Sequence, residues 1–193
     1  MQRVGSLEVR PSRARLAAVF CLTISVVSGV GCGREEQSTP NVEPFPGSAS
    51  SLRALGELVL DGFARGDTVT LARLRLTAEA HRDVVWPEIT TAQGSGLPQD
   101  LAWSDLERRN ARAVARNLAW FASRSVAFED VHCEGVSREF PTFRVLTDCW
   151  IRFRIEGGGL GEAALFEEVV ARGKGYKVFR YSDGGVRALG SST

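Results

Sequence analysis

From Ser51 onward, apolar residues recur first at helical spacing and then at every second position, and the period changes near Arg124. Leu52, Leu55, Val59 and Phe63 fall on one face of a helix over residues 52–65, capped by Ser51 and stopped by Gly66. Asp67 reads as the cap of a second helix over about 68–76, with Leu71 and Leu74 inward. Thr77 caps a third helical segment, 78–86, which Pro87 ends, and residues 88–99 (EITTAQGSGLPQ) have the composition of a loop. The longest helix covers about 100–123. Its apolar stripe runs through Trp103, Leu106, Val114, Leu118 and Phe121, with Asn110 and Asn117 interrupting it. Ser104 and Glu107 form a capping box that marks its regular start, and the arginines at 108, 109, 112 and 116 cover a solvated face.

Beyond Arg124 the pattern is that of strands. Phe143, Val145, Thr147, Cys149, Ile151, Phe153 and Ile155 alternate with Arg144, Leu146, Asp148, Trp150, Arg152 and Arg154, which predicts one long strand over 143–155 with a single face in the core. A strand over 125–134 precedes it. Two more follow, 162–172 and 176–182, with turns at Gly157-Gly158-Gly159 and Gly173-Lys174-Gly175. In the first strand Val126 and Phe128 require one inward phase and Val131 and Cys133 the other, which a bulge between them would reconcile. Helices gathered before antiparallel strands give an α+β domain, with three N-terminal helices packed on a curved four-stranded antiparallel sheet.

The order of elements resembles the nuclear transport factor 2-like superfamily, also called ketosteroid isomerase-like or cystatin-like. The resemblance rests on the opening helix, the Gly66-Asp67 step into a second helix, a third helix, and a meander ending in the tight hairpin Arg172-Gly173-Lys174-Gly175-Tyr176-Lys177-Val178. It implies a cone-shaped fold with a pocket between sheet and helices, but no particular function, because the superfamily mixes enzymes with binding modules.

Upstream of the domain, residues 16–31 (LAAVFCLTISVVSGVG) form an uncharged run preceded by Arg3, Arg10, Arg13 and Arg15 and closed by Cys32. An export signal has a basic start, an apolar stretch of roughly 7 to 15 residues and small residues at the cleavage point. A spanning helix needs about 17 to 25 apolar residues, which makes it the weaker reading of this run. Ser28-Gly29-Val30-Gly31-Cys32 resembles the lipobox of bacterial lipoproteins, although Gly29 stands where the family usually carries leucine. The resemblance implies cleavage before Cys32 and lipidation of its sulfur, hence a protein anchored to the membrane outside the cytoplasm, on the periplasmic side if the cell is Gram-negative. Two or more acyl chains anchor stably, each buried methylene contributing about 0.8 kcal/mol. Residues 32–50, rich in proline and polar side chains, are expected to be a disordered tether, 51–184 the domain, and 185–193 a disordered tail.

Composition narrows the function classes once the signal is set aside. Residues 1–31 contain four arginines and Glu8, which leaves 20 basic and 22 acidic side chains of the full 24 and 23. A near-neutral chain lacks the basic excess that nucleic acid demands. Cys133 and Cys149 remain as an even pair. They would face one another if strand residues pair with a sum of 282, making them a disulfide candidate in an oxidising compartment; two buried free thiols are the alternative.

The chain carries no paired carboxylates at fixed spacing, no Gly-x-Ser-x-Gly and no phosphate loop, and no cofactor is implied. His132 beside Cys133 lacks zinc-ligand spacing. His81, near Asp83 and Trp86, is expected to be a surface histidine; at a pocket mouth it would serve as a base. A ligand pocket would draw on Trp86, Trp103, Asn117 and Thr147, with the two asparagines more at home in structural hydrogen bonds. The outward positions Arg144, Leu146, Trp150, Arg152 and Arg154, joined by Arg180, match the composition of interface cores and suggest a homodimer or an envelope partner; Trp150 covered by arginine stems is the alternative. The expected role is a lipid-anchored, non-catalytic binding or interaction module, or else a small-ligand isomerase, dehydratase or hydrolase.

Overall fold

The computed structural model describes residues 42–189, apart from 95, 123 and 183. The export signal, Cys32 and the first part of the expected tether lie outside the described residues.

Helix α1 (Leu52–Arg65) begins where the Ser51 hydroxyl accepts from the Ala54 N–H at 3.0 Å and ends at Gly66, whose φ of 68° glycine adopts without strain. At Gly56 the helix comes so close to the sheet that a Cβ would lie 3.0 Å from Phe128 and Val131. Asp67 caps α2 (Thr68–Leu74), which stops two residues short of expectation because Arg75 turns extended and Leu76 donates to the Val178 carbonyl at 2.9 Å.

The segment expected to end at Pro87 does not. α3 (Ala78–Ala80) widens into a π-helical turn, His81–Val85, and continues as α4 (Trp86–Gln93), with Pro87 directly after the wide turn in which the Trp86 N–H reaches back to the His81 carbonyl. The hydroxyls of Thr90 and Thr91 donate back to the carbonyls of Trp86 and Pro87 at 2.9 and 2.7 Å. A stretch with loop-like composition is therefore helical up to Gly94, and the described residues form four continuous helices, one for each helical stretch of the sequence, instead of three packed on a sheet. α5 (Gln99–Phe121) starts directly after Pro98. Ser104 donates to the Leu101 carbonyl at 3.1 Å inside the helix, so it is not a cap.

The strands are β1 (Val126–Cys133), β2 (Arg138–Glu139), β3 (Arg144–Thr147), β4 (Cys149–Ile155), β5 (Leu160–Ala163), β6 (Phe166–Arg172), β7 (Gly175–Tyr181) and β8 (Val186–Leu189). They form two antiparallel sheets, β1-β4-β5-β8 and β2-β3-β6-β7, rather than one sheet of four strands. Both expected long strands change sheet midway. The first does so at Asp148, whose φ of 53° is a conformation that aspartate tolerates, and the second at Ala164 and Leu165. Alternation continues across the Asp148 break, with Val145 and then Cys149, Ile151 and Phe153 buried, which is why the hydrophobic pattern concealed it.

The bulge in β1 falls at Glu129: Phe128 pairs with Phe153 but Asp130 with Arg152. Beyond it the register has the expected sum, Cys133 lies opposite Cys149, and the two form a disulfide. The main core joins α1, α2, α5 and both sheets through Phe63, Phe121, Phe153, Phe166 and Tyr181. A second cluster contains Phe45, Leu76, Val85, Phe143, Val145 and Val170. Phe45 and Ala49 are thus buried, and Ala49 pairs with Tyr176, so the folded part starts before Ser51 and the tether does not reach residue 50. The expected tail likewise supplies β8, which closes the edge of β5.

Candidate functional site

The wide turn at His81–Val85 carries His81 inward, between helices and sheet. A cleft of about 500 Å³ opens there, walled by the π-turn and α4 on one side, α5 on another, and β2, β6 and β7 beneath. Its apolar lining comes from Trp86, Ile89, Leu101, Leu106 and Phe179. A double irregularity in the β6–β7 ladder shapes the floor. Phe166 pairs with Tyr181, Glu168 with Arg180 and Val169 with Val178, so Glu167 and Phe179 are each an extra residue, and Glu168, Phe179 and Arg180 all line the cleft. Bulges re-aim side chains in this way, and π-turns are frequent beside functional sites.

His81 is only 3% exposed, not the surface histidine of the sequence reading. Its ring lies 5.6 Å from Trp86, 5.0 Å from Trp103 and 6.2 Å from Phe179, centroid to centroid. The Nδ1 atom is buried without a hydrogen-bond partner, and burial holds the imidazole below its usual pKa, in the neutral form at neutral pH. The same residue borders a smaller groove of about 190 Å³ with Ala78, Arg82, Gln99, Asp100 and Trp103. It therefore stands as a partition between two cavities.

The charged rim is built from shared pairs. Asp105 accepts from Arg109 at 2.6 Å and also from Arg108; burial pushes its carboxyl up, and the two guanidiniums outweigh that and hold it below the usual range. Glu168 lies 2.6 Å from Arg138 and 3.6 Å from Arg180, while Arg180 reaches Glu167 at 2.7 Å. Behind Trp103, Arg75 is paired with Glu107 at 2.7 Å. Among the described residues no three histidine, cysteine, aspartate or glutamate side chains converge as a metal site would require.

Of the four expected ligand residues, the cleft uses Trp86, and Trp103 packs behind His81 in the smaller groove. Asn117 and Thr147 belong elsewhere. Asn117 is buried and donates to the Ser182 carbonyl at 2.8 Å, and Asn110 accepts from the Tyr181 N–H at 2.7 Å, so both asparagines bind α5 to the end of β7 instead of facing a ligand. Thr147 donates to the Val136 carbonyl at 3.2 Å on the far edge of the sheet.

The expected interface positions divide between sheets: Arg144 lies on β3, and Trp150, Arg152 and Arg154 on β4. Arg180 belongs to the cleft. On the β4 side Arg152 and Arg187 both grip Glu162, which is 2% exposed, through contacts of 2.7 to 3.1 Å. Arg187 covers the Trp150 ring at 4.0 Å, and Arg154 pairs with Glu129 at 3.0 Å. Comparison with known families, curated proteins and solved structures finds no match for this chain.

Proposed function

We propose that this is an exported protein held at the cell envelope by lipid on Cys32, and that its folded part, of the nuclear transport factor 2-like kind, is a non-catalytic module that binds a small ligand in the His81–Trp86–Phe179 cleft. The observation that carries the binding role is the cleft itself. At about 500 Å³ it falls within the roughly 300–1000 Å³ of small-molecule sites, and it combines an apolar floor with a few placed charges. The cleft's acids, Asp105 and Glu168, are each held by arginines, and His81 has no carboxylate on Nδ1 to orient it as a base, which favours holding a ligand over transforming it.

Support for the address is the layout of residues 1–32, and support for the fold kinship is the order of capped helices followed by antiparallel strands that include the tight β6–β7 hairpin. The cone of that superfamily and a dimer through the Arg152–Trp150 face remain part of the same proposal. A second reading, a small-ligand enzyme of the ketosteroid isomerase-like type, is favoured by one feature, the buried neutral imidazole beside the cleft.

Photolabelling of the membrane-extracted full chain tests the binding role. Dodecanol carrying a diazirine should crosslink to the peptides of Ile89, Leu101 and Leu106, and its intact mass should report an acylated chain starting at Cys32. Labelling spread evenly over the surface would remove the cleft from consideration, and an unprocessed, unacylated mass would remove the anchor. Turnover of a bound ligand that stops in His81→Gln would favour the enzyme reading.

A further inference from the structure

The side chains lining the cleft include more guanidiniums than carboxylates, Arg109, Arg138 and Arg180 against Asp105 and Glu168. Asp105 is bracketed by Arg108 and Arg109, and Glu168 by Arg138 and Arg180, with Glu167 also paired to Arg180. Four guanidiniums thus face three carboxylates, and three of the guanidiniums, on Arg109, Arg138 and Arg180, line the cleft itself. The side chains of Arg109, Arg138 and Arg180 are 51%, 38% and 24% exposed, so each guanidinium stays open to a ligand beside the acid it pairs with. Walls of low dielectric constant strengthen such an excess of one sign. The same cleft is lined by the apolar side chains of Trp86, Ile89, Leu106 and Phe179, together with Leu97 and Leu101, which stand 53% and 55% exposed.

We propose that the ligand is a small amphipathic anion, its apolar body on Trp86, Ile89, Leu106 and Phe179 and its acidic head at Arg109, Arg138 and Arg180. This rests on the binding role proposed above and adds the class of ligand. A neutral apolar molecule would leave the excess positive charge unanswered, and a cation would be repelled by it. A carboxylate and a phosphate monoester share the chemistry required, since a guanidinium fork donates paired hydrogen bonds to the oxygens of either.

The test uses diazirine-bearing dodecanoate and dodecanol side by side on the full chain in non-ionic detergent, with labelled peptides mapped by mass spectrometry. Dodecanoate should label the Ile89, Leu101 and Leu106 peptides roughly tenfold more than dodecanol, as a charge-assisted contact implies. Arg109→Gln, at a half-exposed position outside the core, and Arg138→Gln should each remove most of that advantage while leaving dodecanol labelling unchanged. Competition by unlabelled dodecanoate and by dodecyl phosphate separates the two head groups: equal competition supports a general anion site, and competition by one alone supports that head. Equal labelling by acid and alcohol, unaffected by either substitution, overturns the anion while sparing the cleft. Absence of cleft labelling by both probes overturns this inference and the binding role together.

Discussion

His81 shows how one side chain can be set by its surroundings. Three aromatic rings lie within about 6 Å of it and Nδ1 is unpaired, so the folded protein favours the neutral imidazole, whereas the unfolded chain titrates near the ordinary value of about 6.5. Between the lowered folded pKa and about 6.5 the unfolded chain binds more protons, so stability must rise with pH there. The contribution is complete above about 6.5 and is lost as pH falls through that window. Urea midpoints measured from about pH 8 down to about pH 5 should decline more steeply for the wild type than for His81→Phe, and parallel declines would show that the imidazole is not held neutral. Glu162 belongs to a lower window. Burial pushes its carboxyl up, but Arg187 and Arg152 outweigh that and hold it below the usual range, so its contribution persists until pH falls well into acid. Neither environment was written in the sequence. Asp83 was the visible neighbour of His81 but pairs with Arg82 at 2.6 Å, and the rings that enclose the imidazole arrive from α4, α5 and β7.

Elements follow their local signals until a neighbour overrides them. Caps at Ser51, Asp67 and Thr77 and the stop at Gly66 sit where sequence placed them, because each is decided within three residues. The end of α2 is decided by β7 instead. Its last carbonyls, which no helical N–H can reach, accept from the Tyr181 hydroxyl at Leu71 (2.8 Å) and from the Lys177 Nζ at Arg73 and Arg75 (2.7 and 3.2 Å). Burial raises the Tyr181 phenol pKa and lowers that of the Lys177 ammonium, which the Arg73 charge lowers further, so the phenol stays protonated as the donor. Tyr181→Phe keeps the ring packed edge-on against Phe63 and removes only the hydroxyl. It should cost about 1–2 kcal/mol in urea unfolding at neutral pH, with the far-ultraviolet spectrum unchanged. A loss within error would mean that water replaces the phenol at the helix end. Pro87 and the β6–β7 irregularity escaped the reading for a related reason. A proline at the start of a turn and a proline at its end look alike in sequence, and the cleft depends on which one applies.

At the scale of the molecule, alternation located the strands but not the places where they leave one sheet for the other, since Asp148 turns the backbone without changing the inward phase. Burial of Phe45 and pairing of β8 were hidden by composition, because a single aromatic among prolines, or four residues after two glycines, carries little periodic signal. The register of β1 on β4 stayed open in the sequence, where two inward phases conflict, and it is the bulge at Glu129 that brings Cys133 opposite Cys149. That register gives the disulfide its position. Cys149 follows the Asp148 break directly, so the bridge closes a loop of 16 residues containing β2, the turn at Phe140 to Phe143 and β3, which is one edge of the second sheet. Closing a loop of that length restricts the unfolded chain by about 3 kcal/mol, a large share of the stability of an ordinary domain. Reduction without mutation should therefore lower the urea midpoint by that equivalent and increase the dependence on denaturant, because the reduced unfolded chain exposes more surface. If the midpoint instead holds on reduction, the β1–β4 ladder and the β2–β3 edge are fixed by packing alone, and the staple contributes nothing that the two cores do not already supply.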